Sequence, residues 1–188
     1  MIELTKGQEL DLLGDDGQPL SSITLGIGWE KERNSGFIGN GTPDVDLDAS
    51  AMEFSNGELF DLAVFNNRTT RDGSVVHHGD NRTGDGSGDD ETISVDLARV
   101  HPVIDTIVFT VTSYQGHSLQ WVNGAYCRVL TDQETEIARL TLTNGVPHSC
   151  VVMAKICRDG DHWRLRAIGE GIDAKTPSES VSGLKPFL

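Results

Sequence analysis

The chain has little that would tie it to an oxidising compartment or to a membrane. Its 188 residues include three cysteines, Cys127, Cys150 and Cys157, and no CxxC pair. Cysteines so few and scattered are typical of small core residues in a reducing compartment, not of disulfides or a zinc site. The N-terminal stretch MIELTKGQEL lacks the basic and apolar regions of a signal peptide, and no run of about 18 apolar residues occurs. We therefore expect a soluble, cytoplasmic protein.

Basic side chains are also scarce. The chain has 15 Lys and Arg against 29 Asp and Glu, a formal net charge of −14 and a pI of about 4.6. A surface of this sign repels nucleic acid and anionic membranes. We therefore expect no nucleic-acid partner and no direct membrane insertion, and the charge favours cations or a basic protein surface.

A recognisable motif of nucleophilic catalysis is missing as well. No serine or cysteine lies in a recognisable nucleophile elbow. The glycine-rich stretch 84–88 is followed by no lysine, and its acidic neighbours would repel a phosphate. We therefore expect a protein that is not an enzyme.

Apolar residues follow the period of strands almost throughout. Strand-length segments separated by turns lie at 23–29, 44–54, 59–65, 75–78, 91–100, 104–114, 125–130, 136–142, 150–158 and 162–168. With no long amphipathic helix, they predict an all-β fold, an antiparallel β-sandwich of about ten strands. Asn56-Gly57 indicates a hairpin, and Gly26 and Gly28 inside a strand indicate a bulge or a close backbone approach.

The hydrophobic content of 37% suits one domain with a sizeable core. We assign this domain to residues 1–171. Residues 172–188 are mostly polar and contain two prolines. We expect them to form a loosely held polar C-terminal tail.

The most unusual stretch is 80–91, DNRTGDGSGDDE, which has five carboxylates, three glycines and no apolar residue. Two carboxylates about 4 Å apart repel each other by about 1 kcal/mol even in bulk water. Flexible glycines between hard oxygen donors are what a calcium ion needs, because the backbone must curl until carboxylates and carbonyls converge. We interpret this stretch, called the acidic loop below, as a calcium loop.

A second acidic run supports this interpretation. In DVDLDAS, residues 44–50, the strand period places Asp44, Asp46, Asp48 and Ser50 on one face. A row of like charges along one strand face is unfavourable unless a cation relieves it. The two runs together predict a metal site at one end of the sandwich.

Other metal motifs fit less well. The acidic loop begins with Asp and ends with Glu like an EF-hand, but Arg82, Gly84 and Asp85 break that pattern and its flanks are strands. His77 and His78 are neighbours on a strand and point to opposite faces, so they cannot easily chelate one ion together. We expect them to be surface or packing residues, with a softer metal site as the alternative.

The motifs also carry a family resemblance. The string GDNRTGDGSGDDE at 79–91 closely resembles the signature of the TerD family of bacterial tellurite-resistance and stress proteins. Other segments on both sides of this string are similar to family segments and occur in the same order: LTKG at 4–7, LGIGW at 25–29, DLDAS at 46–50, FNN at 65–67, NGAYCRV at 123–129 and EIAR at 136–139. The resemblance covers residues 1–171. The segments 113–116 and 127–130 are closer to the TerZ-like branch of the family than to TerD itself.

This resemblance implies a β-sandwich that binds Ca²⁺, usually as two ions, between the acidic loop and the aspartate strand. Carried over by position, it implies the ligands Asp44, Asp46, Asp48, Asn67, Asp80, Asn81, Asp85, Gly86 (through its carbonyl), Asp89, Asp90 and Glu91. Asp85 replaces a usual glutamate, and Ser87 replaces an acidic residue.

The expected function is that of a calcium-binding, non-enzymatic interaction module in a tellurite-resistance or stress-response system. Calcium would order the acidic loops into a docking surface for other proteins of the same system. An integral membrane partner is one candidate and would bring the protein to the inner face of the membrane. Two alternatives remain open: a metal-dependent hydrolase with a two-metal carboxylate site, and a purely structural, calcium-stabilised module.

Overall fold

A computed structural model describes residues 1–31, 47–79, 88–113, 116–142 and 145–188. The described chain is built almost entirely from strands. They are β1 (Ile2–Leu4), β2 (Glu9–Asp11), β3 (Ser22–Lys31), β4 (Leu47–Ser55), β5 (Glu58–Ala63), β6 (Val75–His77), β7 (Glu91–Asp96), β8 (Thr106–Ser113), β9 (Val122–Thr131), β10 (Glu136–Leu142), β11 (Cys150–Asp159) and β12 (His162–Ile172). The helical segments are a 3-10 turn at Leu119–Trp121, the short helix α1 at Pro177–Ser180 and a 3-10 segment at Val181–Phe187.

The strands form two six-stranded sheets. Sheet A has the order β1-β10-β9-β3-β7-β6, and sheet B has the order β2-β12-β11-β8-β4-β5. Among the strand pairs described, all are antiparallel except the parallel pair β1–β10. The predicted antiparallel β-sandwich is confirmed.

The main core lies between the sheets, as the alternation along each strand requires. On β3, Ile23, Leu25 and Ile27 are buried in it, so the intervening Gly26 and Gly28 face the outside of sheet A. Cys127 and Cys150 are buried and free, as expected for core cysteines, whereas Cys157 is free and half-buried.

The predicted hairpin joins β4 to β5. Asn56 and Gly57 have φ values of 52° and 80°. Two consecutive residues of positive φ are the requirement of a two-residue turn that matches the strand twist. This hairpin places the start of β4 and the end of β5 at the same end of sheet B.

The prediction of a loosely held C-terminal tail was wrong. Residues 177–188 pack on the outer face of sheet B, where the side chain of Leu184 is fully buried. It lies in a second apolar cluster with Met52, Phe54, Val108, Val152 and Ile168. The polar composition hid four apolar residues of segment 177–188, Val181, Leu184, Phe187 and Leu188, which belong to this cluster or pack against it.

Candidate metal centre

Five of the predicted ligands lie within the described residues. Asp48 is near the start of β4, Asn67 follows β5, and Asp89, Asp90 and Glu91 lead into β7. The other six fall outside the described residues: Asp44, Asp46, Asp80, Asn81, Asp85 and Gly86. Both acidic runs therefore enter or leave the described structure at one end of the sandwich.

Glu91 connects the two runs. Its side chain lies on the same face of β7 as Ile93 and Val95 and is buried between the sheets. Its Oε2 accepts a hydrogen bond of 2.6 Å from the backbone N–H of Ala49 on β4. The last residue of the acidic loop is thus tied to the strand that carries Asp48.

His77, at the end of β6 and just before the acidic loop, also contacts Glu91. Its Nε2 lies 3.3 Å from Glu91 Oε2, and both side chains are fully buried. Its Nδ1 accepts a hydrogen bond from the backbone N–H of Gly79 at 3.2 Å, which holds the ring in this orientation. His78 is exposed, and its Nε2 lies 2.8 Å from Ser94 Oγ. The pair behaves as one packing and one surface histidine.

The carboxylates of Asp48 and Asp90 have different surroundings. Leu47 and Ala49 face the main core, so Asp48 projects from the outer face of sheet B, where it is almost fully buried. Asp90 Oδ2 accepts the backbone N–H of Trp29 at 2.9 Å, and the Asp90 N–H donates to the carbonyl of Ile27 at 2.8 Å. Asp90 therefore holds the loop exit against β3.

Asp89 and Asn67 form hydrogen bonds to residues of nearby strands, Asp89 to β9 and Asn67 to β5. Asp89 lies on the outer face of sheet A, where Arg128 and Tyr126 donate hydrogen bonds to its carboxylate. The Asp89 side chain that accepts these hydrogen bonds is only 7% exposed. Burial, followed by the charge of Asp89, raises the pKa of Tyr126 to about 12. Asn67 is exposed, and its Nδ2 donates to the carbonyl of Leu62 at 2.7 Å.

The described ligands thus gather at one end but point in different directions: Asp48 to the outside of sheet B, Asp89 to the outside of sheet A and Glu91 into the core. Within the described ranges, one cluster of three metal-binding side chains has ligand atoms within 4.8 Å of one another, and it lies elsewhere. It consists of Asp11, Asp159 and His162, which sequence reasoning missed because β2 and the β11–β12 turn are distant in the chain.

Arg164 already supplies a positive charge to that second cluster. Its Nε lies 2.7 Å from Asp11 Oδ1, and its Nη2 lies 2.7 Å from Asp159 Oδ2. Hydrogen bonding to Arg164, then to His162, lowers the pKa of Asp11. We interpret the cluster as an exposed ion-pair network.

Buried thiols offer no alternative chemistry. Burial raises the pKa of Cys127 to about 12 and that of Cys150 to about 11. Both groups therefore remain protonated at neutral pH, and a protonated thiol is neither a strong nucleophile nor a metal ligand.

Over the described residues, no helix has the length and apolar character needed to cross a bilayer. The structure resembles that of a homologue of the telluride resistance protein TerD from Streptomyces coelicolor A3(2). The TM-score is 0.69 at 20% identity, over 88% of this chain and 98% of that chain. At that identity the likeness concerns the fold alone.

Sequence comparisons add the family. The chain is 34% identical to "Tellurium resistance protein TerZ" of Serratia marcescens, over 98% of this chain and 97% of that protein. It is 38% identical to "Stress response protein SCP2" of Bacillus subtilis, over 96% and 98% of the two chains. The model of the TerD domain matches residues 1–176. This chain therefore belongs to the TerD family, whose named members include tellurium-resistance and stress-response proteins.

Proposed function

We propose that this protein is a calcium-binding, non-enzymatic interaction module of a bacterial tellurium-resistance or stress-response system. The observation that carries the proposal is the hydrogen bond between Glu91 and Ala49, which brings the acidic loop to the aspartate strand. Calcium bound between them would order this end of the sandwich and form a docking surface. In this proposal the protein is cytoplasmic, and its partners are other proteins of the same system, including an integral membrane protein.

The two stems of the acidic loop are held close together. At the entry, the backbone N–H of His78 donates to the carbonyl of Thr92 at 3.0 Å, which pairs the end of β6 with β7. At the exit, Asp90 is bonded to Trp29 and to Ile27. Both stems of the loop are therefore anchored, and the repulsion expected between carboxylates so close together in the sequence favours a bound cation.

The donor chemistry fits calcium. Asp48, Asp90 and Glu91 supply hard carboxylate oxygens, which suit Ca²⁺ better than softer metals. Calcium would add positive charge to a chain whose formal net charge is −14. A ligand that binds only the folded state stabilises it by mass action, so ordered loops and a more stable fold are expected together.

The decisive experiment is a calorimetric calcium titration of the chelator-treated protein, repeated with magnesium as competitor. We expect two sites in the micromolar range that magnesium does not displace. Absence of binding heat, or an equal response to magnesium, would overturn the calcium proposal.

The docking role needs a second measurement. The immobilised protein is exposed to a lysate of its own bacterium with calcium or with chelator, and captured proteins are identified. Calcium-dependent capture of proteins encoded with the stress-response system supports an interaction module. Calcium binding that stabilises the protein but changes no captured partner would instead indicate a structural module.

A further inference from the structure

Asp89 is held by an arginine. Arg128 Nε donates to Asp89 Oδ1 at 2.8 Å, and Arg128 Nη2 donates to Oδ2 at 2.9 Å. Tyr126 Oη donates to Oδ1 at 3.0 Å. Both carboxylate oxygens thus accept hydrogen bonds, two of them from the parallel N–H groups of a guanidinium, a strong and geometrically specific pairing. A calcium ion on the same carboxylate would have to approach the positive charge of Arg128.

The outer face of sheet A is shaped to receive this carboxylate. A Cβ atom at Gly26 would collide with the carboxylate of Asp89, and one at Gly28 would collide with the ring of Tyr126. The two glycines of β3 therefore leave a recess that the Asp89 carboxylate and the Tyr126 ring fill. The sequence indicated a bulge or a close backbone approach at Gly26 and Gly28; the recess is the close approach, and the β3–β9 register also shifts between Gly28 and Glu30.

The arginine is itself fixed. Arg128 on β9 lies directly opposite Arg139 on β10, and Glu136 bonds to both of them, at 3.1 Å and 2.8 Å. The guanidinium of Arg139 lies 4.3 Å from the centroid of the Tyr126 ring. Every group that holds Asp89 is thus held by another, and side chains locked in this way are suited to orienting a neighbouring segment.

Asp89 and Glu91 also lie on opposite sides of sheet A. Asp89 fills the recess on the outer face, whereas Glu91 points into the core and accepts the N–H of Ala49. The two carboxylates therefore cannot converge on one ion, although only one residue separates them in the chain.

We propose that Asp89 is a positioning residue and not a calcium ligand, and that Arg128 and Tyr126 anchor the exit of the acidic loop through it. The anchor sets the orientation of Asp90 and Glu91 toward the proposed site. This inference rests on the proposed function and names a contribution to calcium affinity from residues outside the ligand set.

The test compares calcium titrations of the wild type, Arg128→Ala and Arg164→Ala. Arg164 is the matched control, because its loss removes the same charge from the distant Asp11–Asp159 network. If Asp89 is a positioning residue, Arg128→Ala weakens calcium binding about tenfold to a hundredfold relative to Arg164→Ala, with the number of ions unchanged. If Asp89 is a ligand, Arg128→Ala removes a competing cation, and binding as tight as in the control, or tighter, overturns the proposal.

A double-mutant comparison separates anchoring from general damage. Asp89→Asn should weaken calcium binding without loss of an ion, and combining it with Arg128→Ala should add little, because both break the same contact. Loss of one ion in Asp89→Asn alone would identify a ligand and overturn the proposal. Arg128→Lys keeps the charge without the paired N–H groups, so it should recover only part of the affinity.

A metal-free measurement distinguishes failure of this inference from failure of the proposed function. Hydrogen exchange at the Asp90 amide, which donates to the Ile27 carbonyl, should be faster in Arg128→Ala than in Arg164→Ala. If the wild type binds no calcium, the proposed function fails, and this exchange rate still decides whether the anchor exists. Equal exchange in the two variants would overturn the anchor.

Discussion

Glu53 on β4 and Ser74 beside β6 join the two sheets through a hydrogen bond of 2.9 Å from Ser74 Oγ to Glu53 Oε1. The Glu53 side chain is fully buried, and its Oε2 finds no hydrogen-bond partner within the part of the chain that the structure describes. Asp61 on β5 and Asp72 in the turn before β6 add negative charge near Glu53. Burial, above all, raises the pKa of this carboxyl from 4.5 to about 7.

This relationship predicts a pH-dependent stability. The folded state holds the Glu53 proton more tightly than the unfolded state. The stability that this protonated carboxyl contributes is therefore fully present below about pH 4.5 and is lost as the pH rises through about 7. Glu53→Gln, which keeps the shape without the charge, should therefore stabilise the calcium-free protein at pH 8 by on the order of 1–3 kcal/mol. At pH 5 the gain should be small. Denaturant unfolding at both pH values measures the difference.

Glu58→Gln is the control for this experiment, since Glu58 is an exposed carboxylate on the neighbouring strand. Its substitution should change the free energy of unfolding by less than about 0.5 kcal/mol at either pH. A gain in Glu53→Gln that is the same at pH 5 and pH 8 would contradict the assigned titration.

Glu91→Gln tests the link between the loop and β4. The amide oxygen can still accept the N–H of Ala49, so we expect a folded protein that has lost the negative charge at the proposed site. Calcium affinity should fall at least tenfold, and Asp80→Ala combined with Glu91→Ala should abolish binding of at least one ion. Glu170→Gln serves as the control, because Glu170 is an exposed partner of Lys6. Unchanged calcium titrations in both Glu91 variants would remove the acidic loop from the site.

Gly26→Ala should reproduce the effect of losing Arg128. The added methyl group occupies the space of the Asp89 carboxylate, so the loop exit must move away from sheet A. We expect a calcium affinity about tenfold or more below that of the wild type and faster exchange of the Asp90 amide. Gly14→Ala is the control, since the nearest atom there, at 3.0 Å, is a carboxylate oxygen of the exposed Asp16 side chain. Equal behaviour of the two alanine variants would argue against the recess.

The C-terminal segment should contribute strongly to stability. Leu184→Ala removes a fully buried side chain from the cluster on the outer face of sheet B and should cost about 2–5 kcal/mol of unfolding free energy. Leu59→Ala, at a side chain with 37% exposure, should cost much less. Truncation after residue 176, where the match to the family domain ends, should expose apolar surface that binds a hydrophobic dye. A truncated protein as stable as the full chain would contradict the packing of this segment.

Much of the fold could be predicted from local pattern. Period-two alternation predicted strands such as 136–142 with the observed bounds, because side chains on successive residues of a strand face opposite sides whatever their partners are. Asn56-Gly57 predicted its hairpin, since the turn conformation depends on those two residues alone. The family could be recognised from the acidic loop and the segments around it.

Part of the candidate site could be predicted in the same way. The two acidic runs and the family resemblance together assigned Asp48, Asn67 and Asp89 to Glu91 to one site, and the structure places all five at one end of the sandwich. Their roles as calcium ligands remain predictions, as do those of the six that lie outside the described residues.

The direction of each carboxylate was decided only by tertiary structure. Residues 88–90 precede β7 and are not part of a strand. The alternation of a strand therefore does not predict that Asp89 and Glu91 point to opposite sides of sheet A. Their separation depends on Arg128, which is 39 positions further along the chain from Asp89, and on Ala49, which is 42 positions from Glu91. The C-terminal segment is a similar case, because four apolar residues in a polar stretch indicate no location until the sheet face they cover exists. Composition and period determined which residues form strands and where charge accumulates; contacts between distant strands decided what each charge binds.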